Sequence, residues 1–76
     1  MVTAFIMIKA NTGEADRLQE SINAIDGVES AHIVAGDVDL IAKVSVDRPA
    51  GVKDIAANQI QRIQGVESTQ TYIAMD

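Results

Sequence analysis

The sequence predicts an α+β domain of order β-α-β-β-α-β, with a four-stranded antiparallel sheet and two helices on one of its faces. Three observations predict it. The segment Ile25-Asp26-Gly27-Val28-Glu29-Ser30 returns as Ile63-Gln64-Gly65-Val66-Glu67-Ser68, an offset of 65 − 27 = 38, half of the 76 residues. Each half opens on alternating apolar and polar residues, the period of a half-buried strand. Each then changes to apolar residues three and four apart, the period of a helix that buries one side. A chain of this length holds one domain, residues 1–76, filled by two equal supersecondary units.

The first strand runs from Val2 to Ala10, with Val2, Ala4, Ile6 and Ile8 on one face and Thr3, Phe5, Met7 and Lys9 on the other. Asn11-Thr12-Gly13-Glu14 reads as a helix start, with Asn11 as N-cap and Glu14 three residues on. Ala15, Leu18, Ile22 and Ile25 then make one apolar stripe, and Gly27 stands where a left-handed residue would end the helix. Val28 to Ala35 is the second strand, and Gly36-Asp37 reads as a tight turn into the third, Asp39 to Val46.

Asp47-Arg48-Pro49 breaks that strand, because proline suits the first turn of a helix and not a ladder. Val52, Ile55, Ala56, Ile60 and Ile63 form the buried side of the second helix, Gly65 ends it, and Val66 to Ala74 is the last strand. At an offset of 38, Ala4, Ile6 and Ile8 fall on Ala42, Val44 and Val46, so the halves superpose along their whole length. This is the ferredoxin-like plan.

Composition excludes several function classes. The absence of cysteine removes disulfides and thiolate metal sites, and no apolar run is long enough to span a bilayer. With 47% apolar and 22% charged residues the chain is a folded domain, read as soluble and cytoplasmic. Eleven acids against six bases, a net charge of −5, argue against direct contact with nucleic acid or an anionic membrane. An RNA-recognition module shares this order of elements but needs stacking aromatics on its central strands, and Leu40-Ile41-Ala42-Lys43-Val44-Ser45-Val46 has none. About 4,500 Å² of surface is expected for a folded chain of this mass, which leaves a thin core.

The helix-facing side should hold Ala4, Ile6, Ile8, Leu40, Ala42, Val44 and Val46. The opposite face then carries Phe5, Met7, Ile41 and Val34, with His32, Lys9 and Lys43 among them, and nothing in the chain is left to cover it. An exposed apolar patch of this kind marks an association site, so two sheets are expected to pair face to face in a homodimer through Phe5, Met7, Val34 and Ile41.

The residues give little support to catalysis. His32, the single histidine, has no serine and carboxylate arrangement in sequence, and no catalytic residue is assigned. Asp37-x-Asp39 offers too few oxygens for calcium, and no phosphate loop or Gly-x-Gly-x-x-Gly is present, so neither metal nor cofactor is expected. The stretch Val34-Ala35-Gly36-Asp37-Val38-Asp39-Leu40 has two readings. It is either a hairpin turn with two solvated acids or a small-ligand site whose backbone groups and carboxylates meet the two ends of a zwitterionic amino acid.

From this turn outward the sequence resembles the C-terminal effector domain of Lrp/AsnC (feast/famine) transcription regulators, the RAM domain. Gly27-Val28, the stretch from Ala31 to Leu40, Gly65-Val66 and Thr69-Gln70-Thr71-Tyr72-Ile73 carry the resemblance, which covers nearly all of the chain. Val38 departs from it, since an aromatic is common there. The resemblance implies a dimeric α/β sandwich, further assembly into rings of four dimers, and amino acid effectors held between dimers around the hairpin. Carried over by position, the ligand-binding residues are Gly36, Asp37 and Asp39 of the hairpin and Thr69 and Thr71 of the last strand, with His32 beside them. The usual N-terminal helix-turn-helix is missing, so a stand-alone RAM domain is expected, one that co-assembles with full-length regulators.

Two other readings share the plan. A small dimeric enzyme of monooxygenase or isomerase type would need polar groups in a cavity between sheet and helices, where this sequence places Ala4, Ile6 and Val44. An ACT-like regulatory domain would pair by its sheet edge instead of its face.

Overall fold

The computed structural model describes residues 1–76. Strand β1 (Val2–Ala10) leads to helix α1 (Ala15–Asn23), then strands β2 (Val28–Ile33) and β3 (Leu40–Val46). The second helix begins as α2 (Pro49–Lys53), continues over Asp54–Ile60 with π-helical winding, and leads to β4 (Val66–Ile73). The strands lie in the order β2-β3-β1-β4, each antiparallel to its neighbour. The predicted fold class is the one found. β2 and β4 stop one or two residues short of their predicted ends, and the accessible surface is 4779 Å².

Strand parity places the core. Ala4, Ile6, Ile8, Leu40, Ala42 and Val44 are completely buried on the helix side, facing Leu18, Ile22, Val52, Ile55 and Ile60. Val46 is only half-buried, at the open end of β3. Every buried residue is aliphatic, and no polar side chain is buried.

The repeated Gly-Val-Glu-Ser segment proves to be one structural device used twice. Gly27 (φ +96°) and Gly65 (φ +106°) turn the chain out of each helix in the left-handed region that glycine alone enters freely. The Val28 N–H bonds the Ile25 carbonyl and the Val66 N–H bonds the Ile63 carbonyl, both at 3.1 Å. Glu29 and Glu67 then have no partner in the ladder: Val28 pairs Val44 and Ser30 pairs Lys43, while Val66 pairs Ala10 and Ser68 pairs Lys9. Each glutamate is the extra residue of a β-bulge.

Four predicted details are corrected. Asn11 does not cap α1: Glu14 holds the N-cap position, Asn11 contributes only its carbonyl to the Glu14 N–H, and Gly13 (φ +82°) makes the turn. The Glu14 carboxylate instead pairs with Arg17 at 3.0 Å, and Arg17 also donates to the Gln64 carbonyl at 2.6 Å.

Gly36-Asp37 is not a tight turn. The connection is the six-residue loop 34–39, closed by a bond from the Val34 N–H to the Asp39 carbonyl at 2.9 Å, and Gly36 has no positive φ. The second helix is not uniformly α-helical: the Gln61 N–H reaches the Ala56 carbonyl, five residues back, at 3.1 Å. Asp54 accepts side-chain bonds from Asn58 at 3.1 Å and from Gln59, again five residues on, at 3.0 Å.

Finally, the halves do not superpose along their whole length. Val28 and Val66 keep the offset of 38, but their partners Val44 and Ala10 are 44 − 10 = 34 apart. The extra turn Pro49–Val52 at the start of the second helix takes up the four-residue difference. An even shift keeps every side chain on its predicted face.

Candidate functional site

Two concavities mark this small molecule, one on each side of the sheet. On the outer side, at the hairpin end, Met7 and Lys9 of β1, Asp37 and Val38 of the loop, and Ser68, Thr69 and Gln70 of β4 surround a cleft of about 390 Å³. Parity puts Lys9 two residues beyond Met7 on that face, opposite Ser68. The loop reaches it because Asp39 anchors it to β1. The Asp39 N–H bonds the Ile8 carbonyl at 2.9 Å, and its Oδ2 accepts the Ala10 N–H at 2.8 Å. That second bond satisfies a backbone donor at the bulge, where the regular ladder lapses.

On the helix side, a groove of about 330 Å³ lies between the second helix and β4. Its floor is apolar, from Val52, Ala56, Ala57 and Ile73, and Lys53, Gln61, Thr69 and Thr71 supply the polar groups. It is the less polar of the two and holds charge of one sign only. The Asp54 carboxyl, at the start of the π-wound segment, is held below the usual aspartate range by the Asn58 and then the Gln59 amide.

The predicted site residues therefore separate. Asp37 lines the outer cleft, with Asp39 fixing the loop beside it, while Thr69, whose partner Ile8 is inward, borders both concavities. Gly36 is exposed in that loop with open space around it. Thr71 turns to the helix-side groove, since its partner Ile6 is inward. His32 lies on the far edge: the row His32, Ile41, Met7, Gln70 crosses the whole sheet, three strand spacings or about 14 Å. Within one chain, His32 and Thr69 do not meet.

Of the four expected interface residues, Phe5, Met7 and Ile41 lie on the outer face as parity demanded, while Val34 falls in the loop beyond β2. Phe5 is 36% exposed at the centre of the outer face, with Met7, Ile41 and Val34 half-buried. Tyr72, directly opposite Phe5 and 51% exposed, extends the apolar patch. Tyr72 and Lys9 were missed as site residues. Alternation along their own strands was the signal, but which strands neighbour each other decides what they join.

The family model for the Lrp/AsnC ligand binding domain matches residues 3–76. The chain belongs to this family. An uncharacterized HTH-type transcriptional regulator of Pyrococcus abyssi is 36% identical over 77 residues, 97% of this chain and 51% of that protein. This Lrp/AsnC domain thus spans about half the length of the curated relatives it matches.

Among solved structures, a Thermus thermophilus protein superposes with a TM-score of 0.95 at 30% identity, covering 100% of this chain and 95% of that one. The feast or famine regulatory protein of M. tuberculosis, crystallised with L-methionine, superposes with a TM-score of 0.83 at 23% identity over 100% of this chain and 51% of its own. No helix of this Lrp/AsnC domain is long and apolar enough to cross a membrane.

Proposed function

We propose that this domain is a non-enzymatic amino-acid sensor that acts through its own assembly. One observation carries the reading: the apolar patch of Phe5, Met7, Ile41 and Tyr72 occupies the uncovered side of the sheet, and the charged outer cleft opens at the end of that same side. A second copy laid face to face covers Phe5, Met7, Val34 and Ile41 and walls the cleft. Ligand and assembly are then linked, because a ligand held where two surfaces meet favours the assembly that forms its pocket. At 100 times its dissociation constant it would add about 2.7 kcal/mol to that state.

The effector class comes from the family resemblance and from the relative crystallised with L-methionine. Gly36, Asp37, Asp39, Thr69 and Thr71 are its proposed contacts, with His32 reached only across a boundary between copies. Dimers joining into an octameric ring bring such a boundary about. The domain acts as a partner of full-length Lrp-type regulators. The net charge of −5 supports this, since direct contact with DNA draws on lysine and arginine.

The test is oligomeric state by light scattering, together with thermal shift against the twenty amino acids. A dimer or larger species is expected, reduced to monomer by Phe5→Glu, with at least one amino acid raising the melting temperature. A strictly monomeric protein at micromolar concentration, or no shift at millimolar ligand, overturns the reading.

A further inference from the structure

We propose that the groove between the second helix and β4 is a separate ligand site for an aliphatic monocarboxylate, whose chain lies on the apolar floor and whose head meets Lys53. This goes beyond the sensor reading above. It concerns the other side of the sheet, a lysine that reading does not use, and a ligand without an ammonium.

The groove holds about 330 Å³, and Pro49, Val52, Ala56, Ala57 and Ile73 form its apolar lining. Val52 and Ala56 are buried and Ala57 is half-buried, so short side chains on a packed helix face define the space. The π-winding shapes one wall of it. Regular α-winding would put Ile60 next after Ala56 on the same face. Instead the Gln61 N–H takes the Ala56 carbonyl at 3.1 Å, five residues back, and Gln61 comes round beside Ala56 and Ala57 to line the groove. Turns wound in this way concentrate at functional sites.

Lys53 is the one charged residue of the groove, and its ammonium brings three donors. It enters no hydrogen bond and no ion pair within the chain. The ion pair of the molecule joins Arg17 to Glu14, and Asp54, the acid next to Lys53, is taken by Asn58 and Gln59. A carboxylate at Lys53 gains a charge-assisted bond, while an aliphatic chain and the floor beneath it leave water together. An ammonium on the same ligand would face Lys53 with no acid among the lining residues to meet it, which disfavours amino acids. The outer cleft, by contrast, is lined by both Lys9 and Asp37. Pairing of two copies through the outer face leaves the helix side open, so each copy keeps its own groove.

Hexanoate, hexanamide and norleucine share one carbon chain and differ in the charges at its head, and amide NMR titration of the full chain with each is the test. Hexanoate is expected to shift the signals of Val52, Ala57, Gln61 and Ile73 and to leave those of the hairpin loop in place. Hexanamide and norleucine should occupy the groove about tenfold more weakly. Lys53→Gln should bind hexanoate about tenfold more weakly and hexanamide as before, and Lys53→Arg should restore the difference. Lys53 is exposed, so its melting temperature should not change. Ala57→Leu, which fills the groove, should abolish binding of both. Equal affinity for hexanoate and hexanamide, unaltered hexanoate binding in Lys53→Gln, or norleucine as tight as hexanoate overturns the carboxylate assignment. No shift with hexanoate, or full binding in Ala57→Leu, overturns the site. Each of these leaves the sensor reading standing, since that is decided by oligomeric state and amino-acid thermal shifts.

Discussion

Where α1 crosses β2, the Gln19 amide donates to the Ala31 carbonyl at 2.9 Å; where the second helix crosses β4, the equivalent positions Ala57 and Thr69 line an open groove of about 330 Å³. The residues before them differ in the same sense. Leu18 is completely buried in α1, and its counterpart 38 positions on is Ala56. One half of the repeat closes its helix onto its edge strand with a large aliphatic and a long amide. The other half puts alanine at both places and threonine on the strand. A repeat can thus share turns, bulges and faces while a few truncated side chains decide which half keeps a cavity. The shared parts are backbone devices; the difference is side-chain volume.

The sharpest way to break the contrast is to give the closed half the alanine of the open one. Leu18→Ala removes a fully buried side chain from α1 and should cost about 2–5 kcal/mol in urea denaturation. A loss under about 1 kcal/mol would mean that α1 can settle inward, and that the groove does not come from side-chain size.

Gln19→Ala is the milder version. It deletes one partly buried bond to backbone and leaves the Ala31 carbonyl short of a partner, for about 0.5–1.5 kcal/mol by the same measurement.

The smallest effect concerns Asp54, whose equivalent in α1, Asp16, accepts no side-chain bond. Its folded carboxyl titrates below its unfolded one, because the Asn58 and Gln59 amides favour the charged form. Its contribution is therefore fully present above the unfolded value, and is lost as pH falls through the folded one. Melting temperatures followed from about pH 5 downward should fall slightly more for wild type than for Asp54→Asn. Parallel curves would show that these bonds do not hold the π-turn.

Much of this fold was legible because its signals are local. Alternation assigned every inward residue of β1 and β3, and the repeated Gly-Val-Glu-Ser marked both helix exits. Details went astray where two local chemistries compete. Asn11 has the right residue type to cap a helix, but Gly13 takes the turn and the helix starts later. Gly36-Asp37 fits a tight turn in isolation, yet Asp39 is drawn to the Ala10 N–H and the loop opens to six residues. The π-winding depends on bonds five residues apart that no apolar period reports.

The candidate site was legible only in part for a related reason. Asp37 and Thr69 border one cleft because β1 and β4 are neighbours in the sheet, and His32 stays away because β2 is the opposite edge. Strand order is a property of the whole chain and not of any window along it.

Glu29 and Glu67 interrupt the ladders of β2 and β4, the two outermost strands. An uninterrupted border would offer a template on which further chains could stack without limit, whereas an irregular one twists away from such growth. Both borders of this molecule are made irregular at their start by the same short phrase of sequence, which makes each a poorer template for an added strand.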